Sequence, residues 1–241
     1  MLDTSKIKGI IFDYGGTIDS NGKHWAEVLW DAYADNKVPV SKEQFREAYV
    51  YAERYLATHP VIEAGDNFFV LLRKKIDLHV NYLINKGFLH ENDKTKDYSL
   101  AISTQCYTFV KGLIEKEKPL LEVLKGRYPM VLVSNFYGNV QSVLSDFGLL
   151  NYFDDIIESA VVGVRKPDPA IFGLGVESLG IPASSVVIIG DSYTKDIVPA
   201  RSLGCHTIWL KGTGWEEDAE GATADLIIDD FIELKSAFQL D

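Results

Sequence analysis

The chain has 241 residues, 46% hydrophobic and 24% charged, a composition that suits a soluble core large enough for one domain and a smaller partner. A formal net charge of -11 argues against a nucleic-acid partner, because a phosphate backbone demands a basic footprint. No apolar run approaches transmembrane length, so no membrane contact is expected.

A small phosphorylated ligand remains compatible with the acidity, since a local basic pocket or a bound cation overrides net charge. Cys106 and Cys205 lie far apart in no metal-like spacing and read as reduced thiols. With no signal-peptide pattern ahead of the first strand, a cytoplasmic location is expected. Oligomeric state cannot be read from the residues.

The stretch Lys8–Asp19 reads Lys-Gly-Ile-Ile-Phe-Asp-Tyr-Gly-Gly-Thr-Ile-Asp. An Ile- and Phe-rich run stopped by a carboxylate and two glycines predicts a buried strand of a parallel sheet. Ligands of open α/β sheets bind beyond the carboxyl ends of the strands, where Asp13 would stand. A carboxylate there can be a nucleophile, a metal ligand or both, or it can simply cap a turn.

From Ser20 to about Leu100 the pattern turns helical. Trp25, Val28, Leu29 and Tyr33 fall at helical spacing. Ser41 with Gln44 forms a capping box ahead of a face made by Phe45, Ala48, Tyr49, Ala52 and Leu56. Phe68, Leu71, Leu72, Ile76, His79, Leu83 and Ile84 predict a third amphipathic helix, and polar Gly87–Asp97 a solvated connection. None of the five histidines pairs at metal-ligand spacing, although His24 and His59 could face a site.

Strand and helix then alternate. Helix to Lys125, strand Met130–Ser134, helix Asn139–Phe147 and strand Asp154–Ser159 lead into Lys166-Pro-Asp-Pro. A helix to Gly180, strand Val186–Gly190, a helix to Leu203, strands Cys205–Leu210 and Leu226–Ile228 and a last helix follow. This rhythm predicts an α/β fold, a Rossmann-like doubly wound parallel sheet formed by 1–19 and 103–241. Residues 20–102 would be an all-helical cap over the strand ends.

Polar residues therefore gather where strands end: Asp13, Ser134-Asn135, Lys166, and Asp191 with Asp196. A carboxylate attacks phosphorus only if charge is offset. A divalent metal on Asp13 and Asp191, together with Lys166, would do that. Ser134 and neighbouring amides would hold phosphoryl oxygens.

In order, Asp13-Tyr-Gly-Gly-Thr17, Ser134, Lys166-Pro-Asp-Pro and Gly190-Asp191-Ser-Tyr-Thr-Lys-Asp196 resemble the four motifs of the haloacid dehalogenase-like (HAD) hydrolase superfamily. The resemblance spans the whole core, and the helical insert matches the cap of many members. It implies a phosphomonoester hydrolase in which Asp13 forms an aspartyl-phosphate and Lys166 balances its charge. Thr17, Ser134 and Asn135 would serve the phosphoryl side. Mg²⁺ would be held by Asp13, the Gly15 carbonyl and Asp191, with Asp196 a further ligand or an orienting carboxylate. The cap would choose a small phosphorylated substrate.

One position departs from the pattern. Most phosphatases of the family carry a general acid–base Asp two residues after the nucleophile, and here that residue is Gly15. General acid–base help is worth about 10²–10⁴ in rate, so slow alkyl phosphate hydrolysis or a good leaving group is expected. His24, Glu27 and Glu63 are cap residues that could supply the proton instead. Rival readings are a degenerate phosphate- or partner-binding member, which Gly15 favours, and a 2-haloacid dehalogenase, which Gly190-Asp191 disfavours. A phosphonate-cleaving relative would need a cap lysine for a Schiff base, and the region around Arg54 offers none.

Overall fold

The computed structural model describes residues 2–212 and 222–240. The first strand, β1 (Gly9–Phe12), is followed by four helices: α1 (Trp25–Asp35), α2 (Lys42–Leu56), α3 (Phe68–Asn85) and α4 (Asp93–Lys125). Then come β2 (Met130–Ser134), α5 (Val140–Asp146), β3 (Asp155–Glu158), α6 (Ser159–Val162), α7 (Ala170–Leu179) and β4 (Val186–Gly190). The chain continues through α8 (Val198–Ser202), β5 (His206–Leu210), β6 (Leu226–Ile228) and α9 (Leu234–Ala237).

All six strands are parallel, in the order β3-β2-β1-β4-β5-β6. The central strands β1, β2 and β4 are buried along their whole length, and the alternation of side chains divides them between two cores. Ile10, Phe12, Leu132 and Ile189 face one core, while Ile11, Val131, Val133 and Ile188 face the other beside Ile171 and Phe172 of α7. Chain order runs outward from β1 in both directions. The crevice beyond the carboxyl ends of β2, β1 and β4 is therefore the topological switch point, where α/β sheets bind ligands.

Over this edge lie α1–α4, with α3 packed on α2 and α4 and α1 on α4. The expected capping box is present: Ser41 Oγ accepts from Gln44 N–H at 3.3 Å and Gln44 Oε1 from Ser41 N–H at 2.9 Å. Tyr33, Phe45 and Tyr49 pack around His79, which burial among apolar rings pushes down to about 3, leaving it neutral. These aromatics are mainly the helices' own core.

The connection expected at Gly87–Asp97 ends earlier than its polarity suggested. Helix α4 starts at Asp93 and runs unbroken across position 102/103. Its first turns carry too little apolar residue to show a period. Once the amphipathic remainder has nucleated, extending the helix through them costs little.

Candidate active site

Asp13 ends β1 with its N–H still bonded to Ile189 O at 2.9 Å, so β4 sets its position. Past it the chain coils tightly. The N–H groups of Thr17, Ile18 and Asp19 converge on the Tyr14 carbonyl at 3.2, 2.9 and 3.3 Å. This turn carries Thr17 Oγ1 back to both Asp13 Oδ2, at 3.1 Å, and Asp191 Oδ1, at 3.2 Å. Gly16 makes the turn possible with φ +97°, and a Cβ there would lie 2.3 Å from Asp191 Oδ2.

Lys166 is buried, and its Nζ donates to Asp13 Oδ1 at 2.5 Å and to Asp196 Oδ1 at 2.7 Å. The Asn135 amide clamps its backbone, accepting from Lys166 N–H at 2.9 Å and donating to Lys166 O at 3.1 Å. Asp196 Oδ2 accepts from Ser192 N–H at 3.0 Å, so both its oxygens are engaged in orienting groups. At the end of β2, Ser134 Oγ is buried with no hydrogen-bond partner.

The reason for glycine before Asp191 is steric. A Cβ on Gly190 would lie 2.5 Å from both Cβ and Cγ of Asp196. Gly190→Ala is expected to force Asp196 off Lys166 and to destabilise the fold by about 1–3 kcal/mol, the usual cost of overpacking. Thermal unfolding beside activity checks this; an unchanged melting temperature with full activity contradicts it.

Asp13, Gly15, Ser134, Asn135, Lys166, Asp191 and Asp196 all line one cleft of about 240 Å³. Thr17 lies just beneath it, fully buried between two of the carboxylates. His24 also lines the cleft, as the N-cap of α1. The other candidate groups lie elsewhere: Glu27 pairs with Lys42 at 2.7 Å, His59 stacks on Tyr55 at 3.9 Å, and Glu63 is exposed.

Electrostatically the site is crowded. Burial pushes Asp13 up against the pull of Lys166, with Asp196 adding to the push. Burial, Asp13 and Asp196 push Asp191 well up. Lys166 is pulled down by burial, yet Asp13 and Asp196 prevail and hold it protonated. Oxygens of Asp13, Asp191 and Asp196 come within 4.8 Å of one another, an all-oxygen set suited to a hard divalent cation. Three carboxylates against one ammonium leave two negative charges, which one such ion would offset, so these residues fit the metal.

Several lining residues had no motif to announce them. Buried Lys75 of α3 pairs with half-buried Glu53 of α2, and Tyr137 Oη donates to Glu53 Oε2 at 3.0 Å. Burial pulls Lys75 down, but Glu53, with Tyr49 and Asp19, more than offsets it and keeps the ammonium charged. The cleft thus contains a cap lysine, supplied by α3 rather than by the neighbourhood of Arg54, in the protonated form that does not attack carbonyls. Its sequence signal was a lysine on the apolar face of Leu71, Leu72 and Ile76. Asp19 is the other unannounced lining residue.

The parallel α/β sheet thus carries a lysine-held carboxylate at its switch point, with a second carboxylate beside it. The sequence model of the haloacid dehalogenase-like hydrolases matches residues 7–204, and the chain belongs to that family. It is 30% identical to phosphoglycolate phosphatase of Pectobacterium atrosepticum, over 97% of this chain and 93% of that protein. It is 49% identical to haloacid dehalogenase-like hydrolase domain-containing protein 3 of Danio rerio, over 30% of each chain. Phosphoserine phosphatase of Thermus thermophilus is 30% identical over 50% of this chain and 48% of that protein. The chain thus spans a third to a half of the length of those last two relatives. Among solved structures, the magnesium-bound HAD-hydrolase YfnB from Bacillus subtilis superposes with a TM-score of 0.59 at 22% identity, covering 97% and 99% of the two chains. A dehalogenase with an intermediate complex gives 0.66 at 17%, over all of both chains. At these identities the likeness is one of fold. Among the described residues no helix is long and apolar enough to cross a membrane.

Proposed function

We propose that the chain is a Mg²⁺-dependent phosphomonoester hydrolase for a small phosphorylated metabolite, working through an aspartyl-phosphate on Asp13. The observation that carries this reading is the convergence on one cleft of Asp13 held by Lys166, the partnerless Ser134 hydroxyl and Asp191. Helices α1–α3, in the role of a cap, would supply the wall that selects the substrate, through Trp25, Tyr49, Phe68 and Lys75.

An Asp13 carboxylate oxygen attacks the phosphorus; the new O–P bond forms as the ester P–O bond breaks. Lys166 steadies the charge on Asp13 before attack, and Ser134 Oγ donates to a phosphoryl oxygen. Water then attacks the acyl-phosphate at phosphorus, releasing inorganic phosphate and restoring Asp13. Asp13 and Asp191 would hold Mg²⁺, while Asp196 orients Lys166. Bound there, the ion would supply Lewis-acid stabilisation of phosphoryl charge.

Removing divalent metal with a chelator is expected to abolish phosphate release, and excess Mg²⁺ to restore it. Mg²⁺ alone is expected to raise the melting temperature of wild type, and not of Asp191→Asn, because it binds only the folded cluster. Full activity in excess chelator overturns the metal assignment.

Gly15 favours a second reading, a phosphate-binding member without turnover. Saturable binding of phosphorylated metabolites with no phosphate release in Mg²⁺ would establish it. The presence of Asp191 in the charge cluster weighs against a 2-haloacid dehalogenase, which uses its Asp nucleophile without metal.

A further inference from the structure

Expelling an alkoxide from a phosphate ester is costly unless the leaving oxygen gains a proton as the P–O bond breaks. Five carboxylates line the cleft: Asp13, Asp19, Glu53, Asp191 and Asp196. Four of them are committed. Asp13 and Asp196 are bound to Lys166, Glu53 to Lys75, and Asp191 is part of the oxygen cluster.

Asp19 is different. It is fully buried and forms no ion pair among the described residues, although the Lys75 ammonium feels its charge. Its Oδ1 accepts from Gly16 N–H at 2.7 Å and its Oδ2 from the Trp25 indole N–H at 2.9 Å. Both donors are neutral, they fix the carboxyl's orientation, and each oxygen keeps a further lone-pair position. The coil after β1 brings this group round to the missing side chain: a Cβ built on Gly15 would meet Asp19 Oδ2 at 3.9 Å as its nearest neighbour. The space left at Gly15 is therefore bordered by a carboxyl delivered from four residues further on.

We propose that Asp19 is the general acid–base of this site, standing in for the carboxylate that position 15 lacks. The inference rests on the hydrolase reading above. In the first half-reaction Asp19 gives its proton to the leaving-group oxygen as the ester P–O bond breaks. In the second it takes a proton from the water attacking the aspartyl-phosphate, and so returns to its starting form.

The test is a leaving-group series of para-nitrophenyl, phenyl and ethyl phosphate, with wild type, Asp19→Asn and Asp19→Asn/Gly15→Asp in Mg²⁺. Asp19→Asn is expected to lose about 10²–10⁴-fold in kcat/KM on ethyl phosphate and little on the nitrophenyl ester, whose anion needs no proton. The double variant is expected to recover the alkyl ester, because an Asp side chain has room at Gly15. Should Asp19→Asn fail to fold, Asp19→Glu, which keeps the carboxyl but displaces it by a methylene, is expected to show the same selective loss. A loss uniform across the series, or no loss, overturns the role of Asp19 while leaving the hydrolase reading intact. Wild type that releases no phosphate from any of the three esters overturns the hydrolase reading itself, and this inference with it.

Discussion

Asp13→Asn is expected to reduce phosphate release at least about 10³-fold, the scale seen when a nucleophile acting within a catalytic unit is removed. The two side chains have nearly the same shape, so the fold should survive. Asn Oδ1 can still accept from Lys166 Nζ, which now lies 2.5 Å from Oδ1, while its NH2 replaces the oxygen that accepted from Thr17 and donates to the Thr17 hydroxyl instead. What is lost is the negative oxygen that attacks phosphorus. Trapping a rapidly quenched reaction should show a phosphoryl adduct on Asp13 in the wild type and none in the variant. A variant that keeps wild-type turnover would remove Asp13 from the nucleophile's role.

Lys166→Met is expected to damage both activity and stability. Among the described residues its ammonium is the one cation paired with Asp13 and Asp196, and all three groups are buried. Removing one partner of such an ion pair leaves charge uncompensated in a low-dielectric interior, a loss of about 3–5 kcal/mol. The deficit should depend on pH in a definite direction. Burial already holds the folded-state Asp13 above its ordinary value, and Lys166 is the largest force opposing it. Without Lys166, Asp13 climbs further, and an acid raised in the folded state favours unfolding as pH rises above its unfolded value. The stability gap between variant and wild type should therefore be widest near neutrality and narrow toward pH 5. Denaturant unfolding at several pH values reads this directly, and a gap independent of pH would show that the pair carries little charge energy.

The Lys75–Glu53 pair belongs to the same electrostatic design, since it lines the same cleft and gives its wall a charged, oriented pair. A charged lysine there suits recognition of a polar substrate tail and does not suit Schiff-base chemistry. The position of these residues separates what a chain reveals locally from what it reveals only when folded.

Asp13, Ser134 and Asp191 were legible from the residues alone because each ends or follows a short apolar run, and Lys166 because the Lys-Pro-Asp-Pro motif marks it. A strand's identity and its boundary are local properties, and a parallel sheet puts all such boundaries on one edge. The capping box at Ser41 and Gln44 was legible for the same reason: four consecutive residues suffice to define it. The start of α4 was not, because polar residues at Asp93–Asp97 carry no period and take their helicity from the remainder of the helix. Nor could the engaged state of Asp196, the clamp of Asn135 on Lys166, or the meeting of Lys75 with Glu53 be seen, since each joins segments distant in the chain. Asp19 is the sharpest case. It lies six residues from Asp13 in a motif already singled out, yet only the coil around the Tyr14 carbonyl turns its carboxyl to the void at Gly15. Residue types and their strand-end spacing determined the family and its charge set. The tertiary structure decided which of those groups are engaged and which carboxyl stands ready, because burial and partner distance arise only when separate elements pack together.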